Sequence, residues 1–371
     1  MQTKHDVPAI SAGFEISGRF VSAIPYGSGH INDTYATTFD QGGKAVRYIL
    51  QRINHNIFKD PRALIENIAR VTAHQHRSLQ AAGVADTSRR ALTLIPSRDG
   101  LPYYNDAEGN FWRGYLFIEN ARTYDAIESP AQAEEAARAF GEFQKQVTDL
   151  PGARLHETIP DFHHTPKRFE ALIKAIEADP CNRAKEVKPE IDFVLSRKAV
   201  TSVLVDKQQA GVIPERITHN DTKLNNVMLD VETNKGICVI DLDTVMPGLA
   251  LYDFGDMVRT ATSPRPEDEL DLSLIEMQMP MFKALVEGYL SSAHDFLVPA
   301  EREHLAFSGK LITLEIGIRF LTDFLLGDQY FKIKRERHNL DRSRTQFRLV
   351  QCIEAQEEAM NEFVRSWTPK A

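Results

Sequence analysis

The dominant hydrophobic period of this chain changes near Glu119, from mostly strand-like to mostly helical. Before that point apolar residues alternate in short runs. "FVSAIPYGSGHINDTYATTF" alternates on both sides of a glycine-containing turn, which predicts a β-hairpin. "AVRYILQRI" (45–53) predicts a third strand, and "ALTLIPS" and "FWRGYLFIE" two more. Between them, "DPRALIENIARVTAHQHRSLQAAG" predicts a helix in which Asp60 caps, Pro61 suits the first turn and Gly83 stops the run. Residues 20–119 therefore read β-β-β-α-β-β. After Glu119 a helix opens at Pro130 and closes at Pro151-Gly152. Further helices are predicted over 166–178, 186–209, 267–293, 301–326 and 341–366, broken by one β-rich island at 216–245. The expectation is an α+β fold with a small β-rich lobe over 1–118 and a larger, mostly helical lobe over 119–371. A chain of 371 residues is also long for a single core.

The bulk properties narrow the partners. A net charge of -8 disfavours nucleic acid, whose phosphates need a basic face. The N-terminus lacks the apolar stretch of a signal peptide. The most apolar segment, 311–326, is interrupted by Glu315, Arg319 and Asp323 and is too short to span a bilayer. No membrane partner is expected, and the protein is predicted to be cytoplasmic. Cys181, Cys238 and Cys352 are odd in number and far apart, so neither a disulfide framework nor a zinc site is predicted.

The island "ITHNDTKLNNVMLDVETNKGICVIDLDTVMPG" carries the chemistry. His219, Asp221 and Asn226 keep the spacing H-x-D-x-x-x-x-N of a protein kinase catalytic loop. An aspartate there can take the proton of an attacking hydroxyl, and a neutral amide oxygen five residues on can ligate magnesium. Lys223 can offset charge on a transferred phosphoryl group. "NVMLD" and "ICVID" predict a hairpin; with Asp230 opposite Ile237, Asn226 falls opposite Asp241. Asp243 follows on the same face if the strand continues, as a second ligand or an orienting group. The triplet Asp253-Phe254-Gly255 spells the kinase metal motif, but it lies twelve residues past Asp241 and beyond the Pro247-Gly248 turn. The metal role therefore goes to Asp241. With these residues in place, the order of elements reads as a protein-kinase-like bilobal fold.

"ITHNDTKLNNVMLD", "VIDLDTVMPG" and "LYDFGD" resemble the aminoglycoside phosphotransferase and choline kinase superfamily, and within it the bacterial N-acetylhexosamine 1-kinases. "PYGSGHINDTY", "RYILQRIN", "FHHTPKRFE", "SGKLITLEIGIRFLTDFLLGDQYF" and "HNLDRSRTQFRLVQ" extend the likeness over roughly residues 20–355. The superfamily loop more often carries Gly where Asn220 stands. The resemblance implies ATP with Mg2+ as donor and the anomeric hydroxyl of N-acetylglucosamine or N-acetylgalactosamine as acceptor, giving the sugar 1-phosphate. It implies Asp221 as base, Asn226 and Asp241 as magnesium ligands, and Asp253 as a brace hydrogen-bonded to the catalytic loop; His219 and Asp243 are read beside them as supporting groups. The enzyme class would be a small-molecule kinase.

On the nucleotide side, Gly27 and Gly29 are candidates for bringing backbone amides to the phosphates. Gln51 stands where the kinase pattern V-A-I-K has lysine, leaving Glu66 without its usual partner. Arg52 points to the other strand face. Adenine is expected against backbone near Glu119. On the acceptor side, Glu315, Arg319 and Asp323 share one helix face at i, i+4 and i+8. They form either a solvated stripe or a polar wall in which Arg319 and Asp323 meet sugar hydroxyls, with His30 and Asn32 as further contacts. Adjacent His163 and His164 make a poor chelate; Thr165-Pro166 predicts a helix start. Two alternatives stand beside this reading: the same chemistry on another sugar, homoserine, choline or an aminoglycoside, and a pseudokinase, supported only by the missing lysine.

Overall fold

The computed structural model describes residues 4–27 and 31–369. A short helix α1 (Val7–Ser11) opens the described chain, and the Asp6 side chain caps it by accepting from Ala9 N. Strands β1 (Arg19–Pro25), β2 (Asp33–Gln41) and β3 (Lys44–Arg52) follow as an antiparallel meander. Helix α2 (Pro61–Ala81) starts where its signals predict, with Asp60 accepting from Ala63 N at 3.0 Å. Strands β4 (Leu94–Ile95), β5 (Tyr104–Asn105) and β6 (Phe111–Leu116) complete a sheet in the order β1-β2-β3-β6-β4, with β5 also on β6. One face of this sheet packs Tyr35, Phe39, Leu50 and Trp112 against Val7, Ile10 and Phe14 of the N-terminal segment.

Beyond it run β7 (Ala121–Arg122), α3 (Pro130–Val147), α4 (Thr165–Ala178), α5 (Lys188–Leu195), α6 (Val203–Gln209), β8 (Arg216–Thr218), β9 (Val227–Asp230), β10 (Gly236–Val239) and β11 (Met246–Gly248). Then come α7 (Ala250–Ala261), α8 (Met279–Ala293), α9 (Pro299–Glu303), α10 (Leu305–Leu325), α11 (His338–Glu354) and α12 (Glu357–Ser366). The chain forms two compact units. One comprises Met1–Arg122, Asp149–Pro160 and Met228–Met246; the other comprises Thr123–Thr148, Asp161–Val227 and Pro247–Ala371. The first is the antiparallel sheet with α2 and the small sheet β10-β9-β7. The second is helical around α10, whose Leu314, Ile318, Leu321 and Phe324 pack with Phe169, Leu172, Leu340, Phe347 and Val350.

Five helical expectations need correction: 301–326 is α9 and α10, divided at His304, and 341–366 is α11 and α12, divided at Ala355-Gln356. The predicted helix over 186–209 is two helices, α5 and α6, joined through a 3-10 turn at Lys198–Val200. The one over 267–293 begins only at Met279: Pro280, inside the predicted run, cannot continue a helix from upstream but suits a first turn. Helix α7 was not predicted; Pro247-Gly248 signals a turn there, and the helix starts immediately after it. Among the described residues no helix is long and apolar enough to cross a membrane.

In the helical unit α3 and α8 lie backbone to backbone. A Cβ built on Gly288 would sit 2.0 Å from the Glu134 carbonyl oxygen, a contact that only glycine avoids. Gly288→Ala is expected to force the helices apart and lower stability by about 1–3 kcal/mol, the range for overpacked interiors. A melting temperature indistinguishable from wild type would refute this reading of the α3–α8 contact.

Candidate functional site

Two carboxylates on α7 shape the loop that follows β8. Asp253 is 0% exposed. Its Oδ2 accepts from His219 N at 2.9 Å and its Oδ1 from Asn220 N at 2.7 Å. Gln144 Nε2 donates to the same carboxylate at 2.6 Å, and Tyr289 O–H donates to Gln144 Oε1. One turn on, Asp256 Oδ2 accepts from Thr222 N at 3.0 Å and pairs with Arg259 at 2.8 Å. Burial pushes the Asp253 carboxyl above its ordinary value despite its donors. Burial acts on Asp256 too, but the Arg259 guanidinium outweighs it and holds that carboxyl low.

The loop backbone is unusual where these groups hold it. Asn220 has φ of 65°, in the left-handed region that favours glycine and, after it, asparagine. Its Nδ2 donates to Thr218 O and its Oδ1 accepts from Thr218 Oγ1, so the side chain compensates locally for the strained backbone. The His219 ring packs edge-on to Phe140 and Phe143. Asp221 is half-buried. Its Oδ1 lies 3.1 Å from Lys223 Nζ, and Asn226 Nδ2 donates to both its Oδ2 and its backbone carbonyl. The Asp221 charge raises the Lys223 pKa, outweighing burial. The structure thus brings His219, Asp221, Lys223, Asn226 and Asp253 together.

In the sheet unit, Asp241 has φ of 58° and leads into a 3-10 turn, Leu242–Thr244. Strand β10 has already ended at Val239, so Asp243 does not continue its face as expected. The hairpin is also tighter than expected. Asp230 N donates to Lys235 O and Asn234 N to Asp230 O, so the chain turns back before Ile237. This slip removes the register argument that set Asn226 across from Asp241.

Asp243 is held by a cation that the sequence reading missed. Arg113, on β6, is 1% exposed and donates from Nη1 to Asp243 Oδ1. Its Nε and Nη2 both donate to Gln51 Oε1, at 2.9 and 2.7 Å; Gln51 and Arg113 are cross-strand neighbours. Gln51 Nε2 donates to Thr34 Oγ1, and Asn32 Nδ2 donates to Asp243 Oδ2 at 2.7 Å. Gln51 was expected on a phosphate and Asn32 on a sugar, yet here each side chain bonds within its own unit. The available signal was an arginine inside the apolar run "FWRGYLF", because a buried charge requires a partner. Asn67 was missed as well; it joins α2 to the carbonyls of His156 and Val245. Glu66 pairs with His156 at 3.1 Å.

Of the remaining nucleotide-side candidates, Gly27 has φ of 83° at the end of β1, and Gly29 lies outside the described residues. The Glu119 side chain binds Arg47, which stacks 3.7 Å from the Phe117 ring centroid. On the acceptor side His30 also lies outside the described residues. Glu315 is 0% exposed, which excludes a solvated stripe. Asp323 accepts from Gln329 N, Tyr330 N, Phe331 N and Asn339 Nδ2, all within 2.8–2.9 Å. These four hydrogen bonds tie its carboxylate to the 329–331 turn. That turn delivers Tyr330 and Phe331 beside Arg319, which sits 5.1–5.9 Å from the Phe162, Tyr330 and Phe331 ring centroids.

An antiparallel-sheet unit, a helical unit and a braced H-x-D-x-x-x-x-N loop together define a kinase-like phosphotransferase. A family model described as the phosphotransferase enzyme family matches residues 22–278, and the chain belongs to that family. The expected enzyme class, a small-molecule kinase, stands on this membership. Solved structures show the same fold. An aminoglycoside phosphotransferase from Alicyclobacillus acidocaldarius is 12% identical with TM-score 0.58, over 99% of this chain and 96% of that one. A spectinomycin phosphotransferase solved with ADP and spectinomycin is 13% identical with TM-score 0.54, over 96% and 99%. A choline/ethanolamine kinase family protein from Mesorhizobium loti is 17% identical with TM-score 0.52, over 97% and 99%.

The Arg113–Asp243 pair yields a test within the sheet unit. Arg113→Met would leave a buried carboxylate without its cation, with an expected stability loss of about 3–5 kcal/mol in urea unfolding. Asp243→Asn added to it is expected to restore part of that loss. A single-variant loss below about 1 kcal/mol, the level of an exposed pair, would show that the pair is not the internal anchor described.

Proposed function

We propose that this enzyme transfers the γ-phosphate of ATP to the anomeric hydroxyl of an N-acetylhexosamine in the cytoplasm. The observation that carries the chemistry is the half-buried Asp221 on a loop whose backbone is held by buried carboxylates. In this reading Asp221 Oδ accepts the C1 hydroxyl proton as the C1 oxygen attacks phosphorus. The bond to the β,γ-bridging oxygen breaks and ADP leaves. Lys223 offsets charge on the transferred group. Gly27, Gly29 and backbone near Glu119 would hold the nucleotide.

The oxygen donors suit a magnesium ion. Asn226 directs its Nδ2 hydrogens to Asp221, which leaves Oδ1 as an acceptor for a cation. Asp241 supplies a carboxylate from a strained backbone position of the kind that clusters at functional sites. Asn226 and Asp241 would hold the ion, which when bound neutralises charge on the phosphates.

The acceptor class rests on the sequence resemblance and on charge. A choline or aminoglycoside acceptor needs an acidic or aromatic cage for its cation. The aromatic cluster of Phe162, Tyr330 and Phe331 already surrounds the protein's own cation, Arg319. This favours an uncharged, hydroxyl-rich and carbonyl-bearing acceptor over a cationic one. Release of ADP should follow addition of N-acetylglucosamine or N-acetylgalactosamine and fail with a sugar blocked at C1; turnover of the blocked sugar would overturn the anomeric assignment. Asp221→Asn and Asp241→Asn should each abolish turnover. Near-normal turnover in Asp241→Asn, with an inactive Asp253→Asn that still binds metal, would move the metal role away from Asp241.

A further inference from the structure

One buried ion pair has no role in the account so far. His163, just before α4, is 5% exposed, and Glu315, in the middle of α10, is 0% exposed. His163 Nδ1 lies 2.8 Å from Glu315 Oε1, and Nε2 lies 3.1 Å from the backbone carbonyl oxygen of Asn220. The second carboxylate oxygen of Glu315 accepts from Thr165 Oγ1. A carboxylate oxygen and a carbonyl oxygen can only accept, so hydrogen bonds at both ring nitrogens require both to be protonated. The group in place is therefore an imidazolium.

The carbonyl it holds belongs to the peptide joining Asn220 to Asp221, and Asn220 is the left-handed residue. Asp253 grips the N–H groups of His219 and Asn220 from the other side. We propose that His163, kept as an imidazolium by Glu315, is a positioning residue for Asp221, fixing the peptide that precedes it from its carbonyl side. This rests on reading Asp221 as the base. A neutral imidazole could hold only one of its two acceptors, and the Asn220 peptide could then rotate. That small rotation would carry Asp221 away from the attacking hydroxyl.

The surroundings agree with a charged ring. Burial lowers the imidazole pKa, but the Glu315 charge and hydrogen bond outweigh it, so the group is held above its ordinary value. Glu315 is held low in turn, chiefly by His163 against burial, with Thr165 and Arg319 contributing. The other groups around the ring are the Phe162 and Tyr252 rings and the charge of Asp256 on α7.

The sign of the pH effect follows. A raised imidazole keeps its proton up to a higher pH, and removing Glu315 returns it toward or below its ordinary value near 6.5. Glu315→Gln is therefore expected to lower kcat at about pH 8 by roughly 10–100-fold, the scale of a small misplacement of a reacting group. The loss should recover as pH falls toward about 5.5, with the KM for ATP little changed. His163→Gln should lose kcat to a similar degree at every pH, without recovery.

The same profiles read on ATP hydrolysis by water keep the test independent of the acceptor. A wild type active with water but inactive with every sugar would sink the acceptor reading and leave this one standing. A wild-type pH profile in Glu315→Gln, or a kcat loss that only tracks loss of folded protein, would overturn the proposal. Should that variant not fold, 15N resonances of His163 in the wild-type enzyme decide it. Protonation of both ring nitrogens at about pH 8 is expected, and a neutral tautomer would refute it.

Discussion

The loop that carries Asp221 has a backbone the chain would not adopt unaided, and the Asp253 carboxylate keeps it there. A buried N–H must find an acceptor, and a charged acceptor contributes about 1.5–3 kcal/mol per bond. Asp253 accepts from two consecutive N–H groups and from Gln144. Those bonds outweigh the strain of a left-handed Asn220, of order 1–3 kcal/mol. They also fix where α7 must start. Once α7 is there, Asp256 three residues on reaches Thr222 N, and the loop is held along its length. A glycine at the position of Asn220 would reach the same positive φ without strain.

The sheet unit solves a similar problem with an arginine. Gln51 carries no charge, and the cation beside it comes from the neighbouring strand. Arg113 stands directly opposite Gln51 in the β3–β6 pairing. Its guanidinium spans two partners at once, with Gln51 on one edge and Asp243 on the other. A lysine ammonium is a point charge and lacks that planar fork. Asp243 in turn fixes Asn32 next to the β2 start.

Much of this was legible in the sequence, for physical reasons that can be named. Period-2 alternation and glycine turns marked β1, β2 and β3, and Asp60 with Pro61 marked the start of α2 almost to the residue. The loop spacing marked Asp221, Lys223 and Asn226, whose side chains do meet within one short segment. What stayed hidden were partnerships between distant residues. Arg113, the partner of Gln51, lies 62 residues away, and the turn that Asp323 folds comes after it in sequence. The α7 helix was hidden by its own start signal, a Pro-Gly turn that reads as a break. The hairpin register slipped because Asp230 Oδ1 accepts from Thr233 N and organises a tighter turn than strand pairing alone predicts.

The triplet Asp253-Phe254-Gly255 shows why letters need a fold around them. A metal aspartate has to offer an oxygen to an ion that arrives with a nucleotide, so part of its carboxylate must be reachable. Asp253 has no exposed surface, and its oxygens already accept three donors. Opening that carboxylate to an ion would release two backbone N–H groups and let Asn220 leave its left-handed conformation. The loop that carries Asp221 would then lose its shape. The metal role and the bracing role are therefore exclusive at this position, and the hydrogen bonds assign the second.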